Sequence, residues 1–445
     1  MTRLEKHPTV QKYRKMQVEP GKKTKLLDAD ELRKILLDFG ADDAGFVEID
    51  RPEIADQKED ILAAFPKAKS LISFVCKLNR ESIRTPARSI SNIEFHQTGE
   101  QVNEIGRNIV RFLENKGIGA INLAMGFPME MDKFPEKIWV VSHKPVAEAA
   151  GLGVMGIHRN IIHPIFGNFV LLGTIATEAK ISSYGTRIDY NPCLECKLCV
   201  ATCPVGAIGS DGYFDFSACY YHNYREFMGG FTDWIETVAN SKNAIQYRNK
   251  VNDKESASMW QSLSFGANYK AAYCLSVCPA GEDVIGSYLE NKKEYLEKIV
   301  KPLQNKKEPV YVVPESDAET HVQKRFPHKT VRRIKGTLRA DSIDTLLKSL
   351  PLVFQRNKST GLDAVYHFTF TGKEQRDATV IIQNRTISIK EGHVGKGDFF
   401  MEADSETWLK FLKKEKSIVT ALLSRKVKIR GAPKLLLAFG RCFPS

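Results

Sequence analysis

The amino-acid sequence predicts an α+β protein built from several domains. Helix and strand patterns mix over residues 26–189, closely spaced cysteines mark residues 190–294, and strand patterns followed by helices fill residues 336–445. A chain of 445 residues is long enough for about two to four domains, each with a core of its own. We therefore expect three domains, the last of them an α/β domain.

Two helices and several strands are expected in the first domain, which follows a flexible basic arm at residues 1–25. Residues 28–40 predict a helix, because Asp28 or Asp30 can cap its start and Gly40 ends it. The other elements expected here are a helix over 98–117, strands over 70–78, 120–125, 138–143 and 168–177, and a helical start at 144 that runs into glycines.

The later segments differ in composition. Residues 295–335 are charged and interrupted by prolines, so we expect a linker with one short strand at 310–313. Residues 336–445 are expected to begin with a helix over 340–355, continue with three strands, and end in two or three helices with one strand between them. Within the cysteine-rich region, residues 220–270 are interpreted as an insertion.

Positive charge is concentrated near the C-terminal end. The net charge is +12, and residues 295–445 hold 29 basic against 16 acidic residues. A lysine-rich surface is the ordinary explanation, and peripheral contact with an anionic membrane or with an acidic protein is the alternative. No basic motif with interleaved aromatic residues is present, so nucleic acid is not expected as a partner.

Cysteine use favours an intracellular protein. The nine cysteines do not follow the pattern of a secreted disulfide scaffold, the first residues lack the apolar core of a secretory signal, and the apolar runs are too short to span a membrane. A reducing cytoplasm is therefore the expected compartment. Cys76, in a strand pattern, and Cys442 are expected to be packed thiols.

Four cysteines follow one another at a spacing typical of iron–sulfur proteins. Cys193, Cys196, Cys199 and Cys203 form C-x2-C-x2-C-x3-C, with Pro204 directly after them. In two-cluster ferredoxins the first three cysteines bind one cluster and the fourth binds its neighbour. A zinc site is the alternative, but zinc sites usually combine two well-separated cysteine pairs.

The same rule assigns the later cysteines. The first cluster needs a fourth ligand, and Cys278, which precedes a proline, matches it. The second cluster would be bound by Cys203 and Cys274, with Cys219 as the best remaining cysteine. Two sets of ligands are therefore expected, and each draws on both parts of the cysteine-rich region.

The second set is incomplete. The spacing calls for a cysteine at position 271, where the sequence has Ala271. The second cluster is then a three-iron form, a four-iron form with a non-cysteine ligand, or a labile cluster. His222 is a candidate for the missing ligand, and an ordinary surface histidine is an equal alternative.

Residues 143–178, followed by the cysteine run, resemble the reductive dehalogenase and epoxyqueuosine reductase superfamily. The similarity covers roughly residues 26–290, and its sharpest parts are KPVAEAAGLGVMG, HPIFGNFVLLG and CLECKLCVATCP. The resemblance implies a nitroreductase-like, corrinoid-binding domain at 26–189 and a ferredoxin-like domain with two 4Fe-4S clusters at 190–294. In that family, electrons from an external donor (a ferredoxin, flavodoxin or reductase) pass through the clusters to a cobalamin.

The resemblance also implies residues for cofactor binding. Gly151, Leu152, Gly153 and Gly156 would lie close to the corrin, because glycine permits close backbone approach to a large flat ring. A helix end followed by a tight turn is the alternative explanation of the three glycines.

Two departures from the family concern the proton donor. Epoxyqueuosine reductases place an aspartate just before the proline that corresponds to Pro145, where this sequence has Lys144 preceded by His143. Dehalogenases use a tyrosine and a basic residue, and the matching region here has Phe95 and His96. Queuosine chemistry is therefore disfavoured. The candidate proton donors are His96, His143 and Lys144, each with an ordinary structural role as the alternative.

Residues from about 340 to 443 resemble the sterol carrier protein type 2 domain. The resemblance depends on the segments LPLVFQRN, YHFTFTGKE and ATVIIQNRTISIKEG, and on the stretch from FFMEADSETW to KLLLAF. It implies a five-stranded sheet whose helices enclose an apolar tunnel for a lipid or another apolar small molecule. A dry core or a dimerisation domain is the alternative.

Three functions follow from these observations. The leading one is an iron–sulfur oxidoreductase that passes electrons through two clusters to a corrinoid, which reduces an apolar substrate in the manner of a reductive dehalogenase. The second is a ferredoxin-type electron-transfer protein without chemistry of its own, coupled to a lipid-binding domain. The third is an apolar-ligand carrier with a redox sensor. A deep pocket with a proton donor beside a cluster would favour the first.

Overall fold

The computed structural model describes residues 3–16, 26–134 and 137–444, and it shows the α+β protein that the sequence predicts. No helix within these ranges is long and apolar enough to cross a membrane. The arm expected to be flexible is helical over α1 (Pro8–Met16), where Pro8 suits a first helical turn and Arg14 and Lys15 suit the last. Residues 17–25 of that arm lie outside the described residues.

The first domain is built on a four-stranded antiparallel sheet. Its strands lie in the order β2 (Asp43–Glu48), β3 (Ser70–Lys77), β7 (Val170–Thr177) and β4 (Ala120–Leu123). Alternate residues of β3 enter two separate cores, because successive side chains point to opposite faces of a strand. Helices α2 and α5 cover one face, and α3 and α6 cover the other. The elements are α2 (Ala29–Asp38), α3 (Lys58–Ala64), α4 (Arg80–Arg84), α5 (Arg88–Asn115), α6 (His143–Ala149), β1 (Leu26–Leu27), β2 (Asp43–Glu48), β3 (Ser70–Lys77), β4 (Ala120–Leu123), β5 (Val154–Met155), β6 (Ile161–Ile162), β7 (Val170–Thr177), β8 (Lys180–Ile181), and 3-10 turns at Pro52–Gln57 and Met131–Lys133.

The strand expected at residues 138–143 does not form. The Gln57 amide holds this segment instead: Ser142 donates its backbone N–H to Gln57 Oε1 at 2.6 Å, and Gln57 Nε2 donates to the Ser142 carbonyl at 3.4 Å. His143 already belongs to α6. The other correction is to α5, which starts ten residues before the helix predicted at 98–117.

Seven helices make up the cysteine-rich region, and the expected insertion supplies three of them. Asp215 caps the helix that carries Cys219, accepting the Ala218 N–H at 2.9 Å. Asn252 and Glu255 form a capping box at the start of α11. The helices are α7 (Leu198–Thr202), α8 (Phe216–Asn223), α9 (Gly229–Ala239), α10 (Ala244–Lys250), α11 (Asp253–Phe265), α12 (Tyr273–Ser276) and α13 (Glu282–Glu290).

The segment expected to be a linker, residues 295–335, forms packed structure. Two parallel strands flank a helix, and Val310, Val312 and Val322 join the core that contains Cys199 and Cys203. The sequence predicts only one of these strands, because two of the four residues in the second are arginines. The elements are α14 (Lys292–Tyr295), a π-helical turn (Leu296–Val300), α15 (Lys301–Gln304), β9 (Pro309–Val312), α16 (Asp317–Arg325) and β10 (Thr330–Arg333).

The C-terminal domain contains a five-stranded sheet. Its strands lie in the order β13 (Thr386–Glu391), β12 (Arg376–Gln383), β11 (Ala364–Thr371), β14 (Phe399–Asp404) and β15 (Val427–Gly431). Its β11 and β14 are parallel neighbours at the centre, and the other pairs are antiparallel. The sequence patterns predict every element except β14. The elements are α17 (Ile343–Val353), β11 (Ala364–Thr371), β12 (Arg376–Gln383), β13 (Thr386–Glu391), β14 (Phe399–Asp404), α18 (Ser405–Leu412), α19 (Ile418–Leu423), β15 (Val427–Gly431) and α20 (Pro433–Arg441).

We predict that Gly173→Ala destabilises the first domain. Gly173 lies in β7 directly opposite Phe74, and an added Cβ would lie 2.2 Å from the tip of the fully buried Phe74 ring. Overpacking of this kind costs about 1–3 kcal/mol. Gly440→Ala is the matched control: the position is exposed in α20 with nothing near an added Cβ, so about 0.5–1 kcal/mol of stabilisation is expected. Denaturant unfolding followed by circular dichroism tests both, and equal midpoints would contradict the prediction.

A candidate two-cluster site beside a large cavity

The structure divides the seven predicted cysteine ligands into two groups. Cys193, Cys196, Cys199 and Cys278 line one small cavity, hereafter the small cavity. The loop between the first three passes through left-handed residues at Glu195 (φ 49°) and Lys197 (φ 60°), which bends the backbone tightly around the thiols. Cys199 lies in α7 and Cys278 follows α12, so two distant parts of the chain supply this group.

Cys203, Cys219 and Cys274 form the second group, in the wall of a larger cavity of about 480 Å³, hereafter the large cavity. Cys203 follows α7, Cys219 lies in α8 and Cys274 lies in α12. Their sulfurs have polar neighbours: the Ala207 N–H donates to Cys203 Sγ at 3.3 Å, and Asn160 Nδ2 lies 4.0 Å from Cys274 Sγ.

Burial controls the ionisation of these thiols. Burial raises the pKa of Cys199 to about 12, and the negative charge of the Cys274 thiolate acts in the same direction. Burial likewise raises the pKa of Cys274 to about 11, and there the charge of Cys203 acts in the same direction. Burial also raises the pKa of Cys219, with the charges of Cys203 and Cys274 next in size. Thiols of this kind stay protonated until a metal replaces the proton.

The chemistry of this donor set fits iron–sulfur clusters. Four thiols converge on one cavity and three on the other, at the spacing that two-cluster ferredoxins use. Over residues 3–16, 26–134 and 137–444, no three His, Cys, Asp or Glu side chains are placed to hold a single metal ion. A cluster holds its ligands further apart than one ion does, because each thiolate binds a different iron.

The position of the missing thiolate is occupied by Ala271. This residue is buried in the wall of the large cavity, and its N–H donates to Asn223 Oδ1 at 3.0 Å. His222, the candidate stand-in, is buried but faces β9, where its Nδ1 accepts the Tyr311 N–H at 3.4 Å. It is not among the residues that line the large cavity. The polar side chains that share the wall with the three cysteines include the amides of Asn160, Asn168 and Asn223.

Two of the three predicted proton donors lie in the large cavity. His143 Nε2 donates to the Ala124 carbonyl at 2.9 Å, so its Nδ1 accepts from Thr174 Oγ1 at 2.8 Å. Burial lowers the pKa of His143, and its ring is therefore neutral with both nitrogens engaged. This leaves His143 without a free proton to give.

Lys144 is the second predicted donor in the large cavity. Its Nζ donates to the Arg159 carbonyl at 2.5 Å and to Asn160 Oδ1 at 3.1 Å. Burial lowers its pKa, while the charges of Cys274 and Cys219 act in the opposite direction. Lys144 is thus a buried basic side chain in the same cavity wall as the second cysteine group.

His96 and the four corrin residues lie elsewhere. His96 donates from Nε2 to the Ala267 carbonyl at 2.7 Å, and only its neighbour Phe95 lines the cavity. Gly151 has a φ of 80°, and a Cβ added there would lie 2.6 Å from a backbone oxygen. Gly153 has a φ of 154°, and a Cβ added there would lie 2.5 Å from another backbone oxygen. These contacts agree with the tight-turn explanation. None of Gly151, Leu152, Gly153 or Gly156 lines the large cavity, and Leu152 is core.

Two residues that the sequence analysis did not select complete the site. His158 lines both cavities, and burial lowers its pKa to about 4, with the Lys144 charge acting in the same direction. Tyr269 lines the large cavity, and its ring packs edge-on against Phe95 at 4.7 Å between centroids. It comes from the end of the insertion, so no local pattern connects it to Phe95 in sequence.

Comparisons with known proteins agree with these features. Residues 344–444 match the family described as the SCP-2 sterol transfer family. A stretch of 133 residues is 28% identical to an epoxyqueuosine reductase of Atelocyanobacterium thalassa (isolate ALOHA) and covers 30% of this chain and 38% of that relative. This chain therefore spans less than half the length of the curated relative it matches.

Two solved structures were also found to be similar. A catabolic reductive dehalogenase has a TM-score of 0.38 at 16% identity, covering 62% of this chain and 34% of its own. An epoxyqueuosine reductase with an epoxyqueuosine-modified tRNA stem loop has a TM-score of 0.31 at 18% identity, covering 44% of this chain and 57% of its own. The sequence of this protein predicts no nucleic-acid partner.

The chain thus joins a part similar to epoxyqueuosine reductases to a C-terminal domain of the sterol carrier type.

We predict that Ala271→Cys stabilises the second cluster. The added thiol would lie in the wall that already holds Cys203, Cys219 and Cys274. After anaerobic reconstitution, we expect more iron per chain and loss of any three-iron paramagnetic signal from the oxidised protein. The control is Ala272→Cys, which adds the same thiol one position later in the same wall. An equal gain in both variants, or no gain with Ala271→Cys, would contradict the ligand assignment.

Proposed function

We propose that this protein is an iron–sulfur reductase that passes electrons through two clusters to a corrinoid, which reduces an apolar organic substrate. The observation that carries the proposal is the position of Cys203, Cys219 and Cys274 in the wall of the large cavity. An electron on a cluster at these thiolates is already beside the space for a second cofactor and a substrate. The similarity to epoxyqueuosine reductases supports this class of chemistry.

Electrons would enter at the small cavity. Cys193 and Cys196 are half-buried, and Leu194 between them is 42% exposed, so an external donor can approach this group. The second group is more deeply placed. A single short helix, α7, connects them, since it carries Cys199 and is followed by Cys203. The path from the surface to the large cavity therefore crosses one helical turn.

The large cavity is the site that we propose for the corrinoid. A volume of about 480 Å³ lies within the range of small-molecule sites, which extends over about 300–1,000 Å³. Met125, Trp139 and Val141 would pack against the ring, and Lys144 and Asn160 would bind its polar edge. When bound, a corrinoid supplies a metal centre that can reduce an organic substrate.

Tyr269 and Lys144 are the residues that we propose as the proton source. Burial raises the pKa of Tyr269 to about 12, so its phenol holds its proton at neutral pH. A phenol in an apolar cavity can donate that proton to a reduced substrate, and Lys144, which lines the same cavity, is the second proposed donor. The packing of Tyr269 on Phe95 puts it beside the residue that stands where the dehalogenase tyrosine was expected.

The C-terminal domain is proposed to bind the apolar ligand or substrate. Its inner face is covered by aromatic rings, and Phe439 of α20 packs against Tyr366 and Phe368 at 4.9 and 5.5 Å between centroids. A ligand would therefore enter by displacing α20. The exposed Leu437 (70%) on the same helix is consistent with contact to an apolar phase.

The central prediction concerns Cys274→Ser. We expect loss of one cluster, retention of the other, and loss of the cobalamin response that the unaltered protein shows. The measurements are iron, sulfide and cobalt contents and the base-off optical spectrum after anaerobic addition of cobalamin. Cys442→Ser is the control, because Cys442 is a buried thiol of the C-terminal core, outside both groups. Unaltered protein that holds clusters but neither shifts the cobalamin spectrum nor retains cobalt after desalting would be an electron-transfer protein instead.

A second prediction tests the lipid site. Phe439→Leu removes part of the ring that fills the sheet's inner face, and we expect tighter binding of a fluorescent fatty acid to the full chain, at a stability cost of about 1–3 kcal/mol. Leu437→Ala, on the exposed side of α20, should leave the interior unchanged. If no apolar probe binds to either variant or to the unaltered chain, the domain is a scaffold.

A further inference from the structure

Two arginines hold buried guanidinium nitrogens without hydrogen-bond partners. Within the residues that the structure describes, Arg84 Nε and Arg88 Nε and Nη1 are buried and donate to no partner, as is Arg356 Nε elsewhere in the chain. Both residues are half-buried overall, and they lie four positions apart at the junction of α4 and α5. A buried guanidinium with unsatisfied N–H groups is costly, so it indicates a negative charge or acceptor that the protein alone does not provide.

Each arginine packs on a tyrosine that lies next to one of the two cysteine groups. The Arg88 guanidinium lies 5.6 Å from the ring centre of Tyr273, the residue directly before Cys274. The Arg84 guanidinium lies 5.4 Å from the ring centre of Tyr295, and Arg84 Nη2 donates to the Tyr295 hydroxyl at 3.3 Å.

The second tyrosine leads to the small cavity. The Tyr295 hydroxyl donates to the Val277 carbonyl at 3.4 Å, directly before Cys278. The pKa of Tyr295 is raised to about 12, mainly by burial, while Arg84 opposes this and the charges of Cys278 and Cys196 add to it. Arg84 therefore serves the first group, and Arg88 the second.

No nearby carboxylate accounts for Arg88. Among the described residues, Glu308 is the carboxylate whose charge acts on Arg88, and it already accepts from Lys329 Nζ at 2.7 Å and from the Tyr273 hydroxyl at 2.7 Å, with Lys306 Nζ at 3.4 Å. Burial lowers the pKa of Arg88, while Tyr273, Glu308 and Cys274 oppose that shift. Arg84 has only the largely exposed Glu81, at 3.5 Å from its Nη1. The negative charge that faces both buried guanidinium groups is thus expected from the cysteine groups.

We propose that Arg84 and Arg88 are positioning residues that set the reduction potentials of the first and second clusters separately. This inference rests on the proposed function, since it requires clusters at both cysteine groups. Reduction adds one electron to a cluster, and a fixed positive charge nearby stabilises the more negative reduced state. Each arginine should therefore raise the potential of its own cluster more than that of its neighbour.

The test is a potentiometric titration of the anaerobically reconstituted full chain, followed by paramagnetic resonance, for Arg84→Gln and Arg88→Gln. Removing the charge of Arg88 should shift the second cluster to lower potential and leave the first nearly unchanged, and Arg84→Gln should do the reverse. Arg107→Gln is the matched control, because Arg107 is an exposed arginine of the same helix α5. Cys199→Ser and Cys274→Ser assign each signal to its group.

The outcomes separate the inference from the proposed function. Unaltered protein without clusters would overturn both. Clusters that assemble fully in both variants with unchanged potentials, or with equal shifts of both clusters, would overturn the inference alone. If Arg88→Gln does not assemble its cluster, Arg88→Lys decides: retention of the cluster at the unaltered potential supports a role of the charge, and loss of the cluster with lysine would overturn it.

Discussion

The placement of seven thiols around two cavities is the constraint on which the rest of the structure depends, and Cys199, Cys203 and Cys278 among them are buried. A thiolate in an apolar interior is unstable without positive charge nearby, and burial raises the pKa of Cys199 and Cys274 well above the ordinary thiol range. The protein places cations on several sides of these groups, with Lys144 toward the large cavity and the two arginines at the start of α5. The surroundings of the cysteines are therefore defined by basic side chains as well as by apolar packing.

The segment between the cysteine region and the C-terminal domain stabilises this arrangement. Glu308 and Lys329 flank β9 and β10, and the fully buried Lys329 Nζ donates to Glu308 and to two backbone carbonyls. The pKa of Glu308 is lowered: burial alone would raise it, and the charge of Lys329 and the hydrogen bonds from Lys329 and Tyr273 outweigh burial. Through the Tyr273 hydroxyl, this ion pair fixes the start of α12, where Cys274 lies. Without the segment, α12 would have no polar anchor on this side.

The turn at residues 211–214 is one of the places where the C-terminal domain contacts the same region, beside the hydrogen bond from Gln355 Nε2 to Ser217 Oγ at 3.2 Å. Phe214 lines the large cavity, while the Tyr213 hydroxyl donates to the Phe354 carbonyl at 3.2 Å. Arg356 pairs with Asp211 at 2.5 Å within the same turn. Adjacent residues thus contact the proposed reaction cavity and the proposed lipid domain. A shift of this turn would be transmitted to both, because the two contacts share one short stretch of backbone.

The sequence by itself predicted the candidate ligands and determined most of the secondary structure. Cysteine spacing predicted both ligand groups and the gap at Ala271, since a cluster demands particular thiol positions along the chain. Periodicity predicted α2, β3, β7 and the strands of the C-terminal domain except β14, because burial of one face leaves a regular pattern. Only the tertiary structure decided which proton donors share the cavity. It excluded His96 from the lining, engaged both nitrogens of His143, and brought Tyr269 to Phe95 from 174 positions away in the printed sequence. Contacts between distant segments depend on how the helices pack, and that packing leaves no local pattern in sequence.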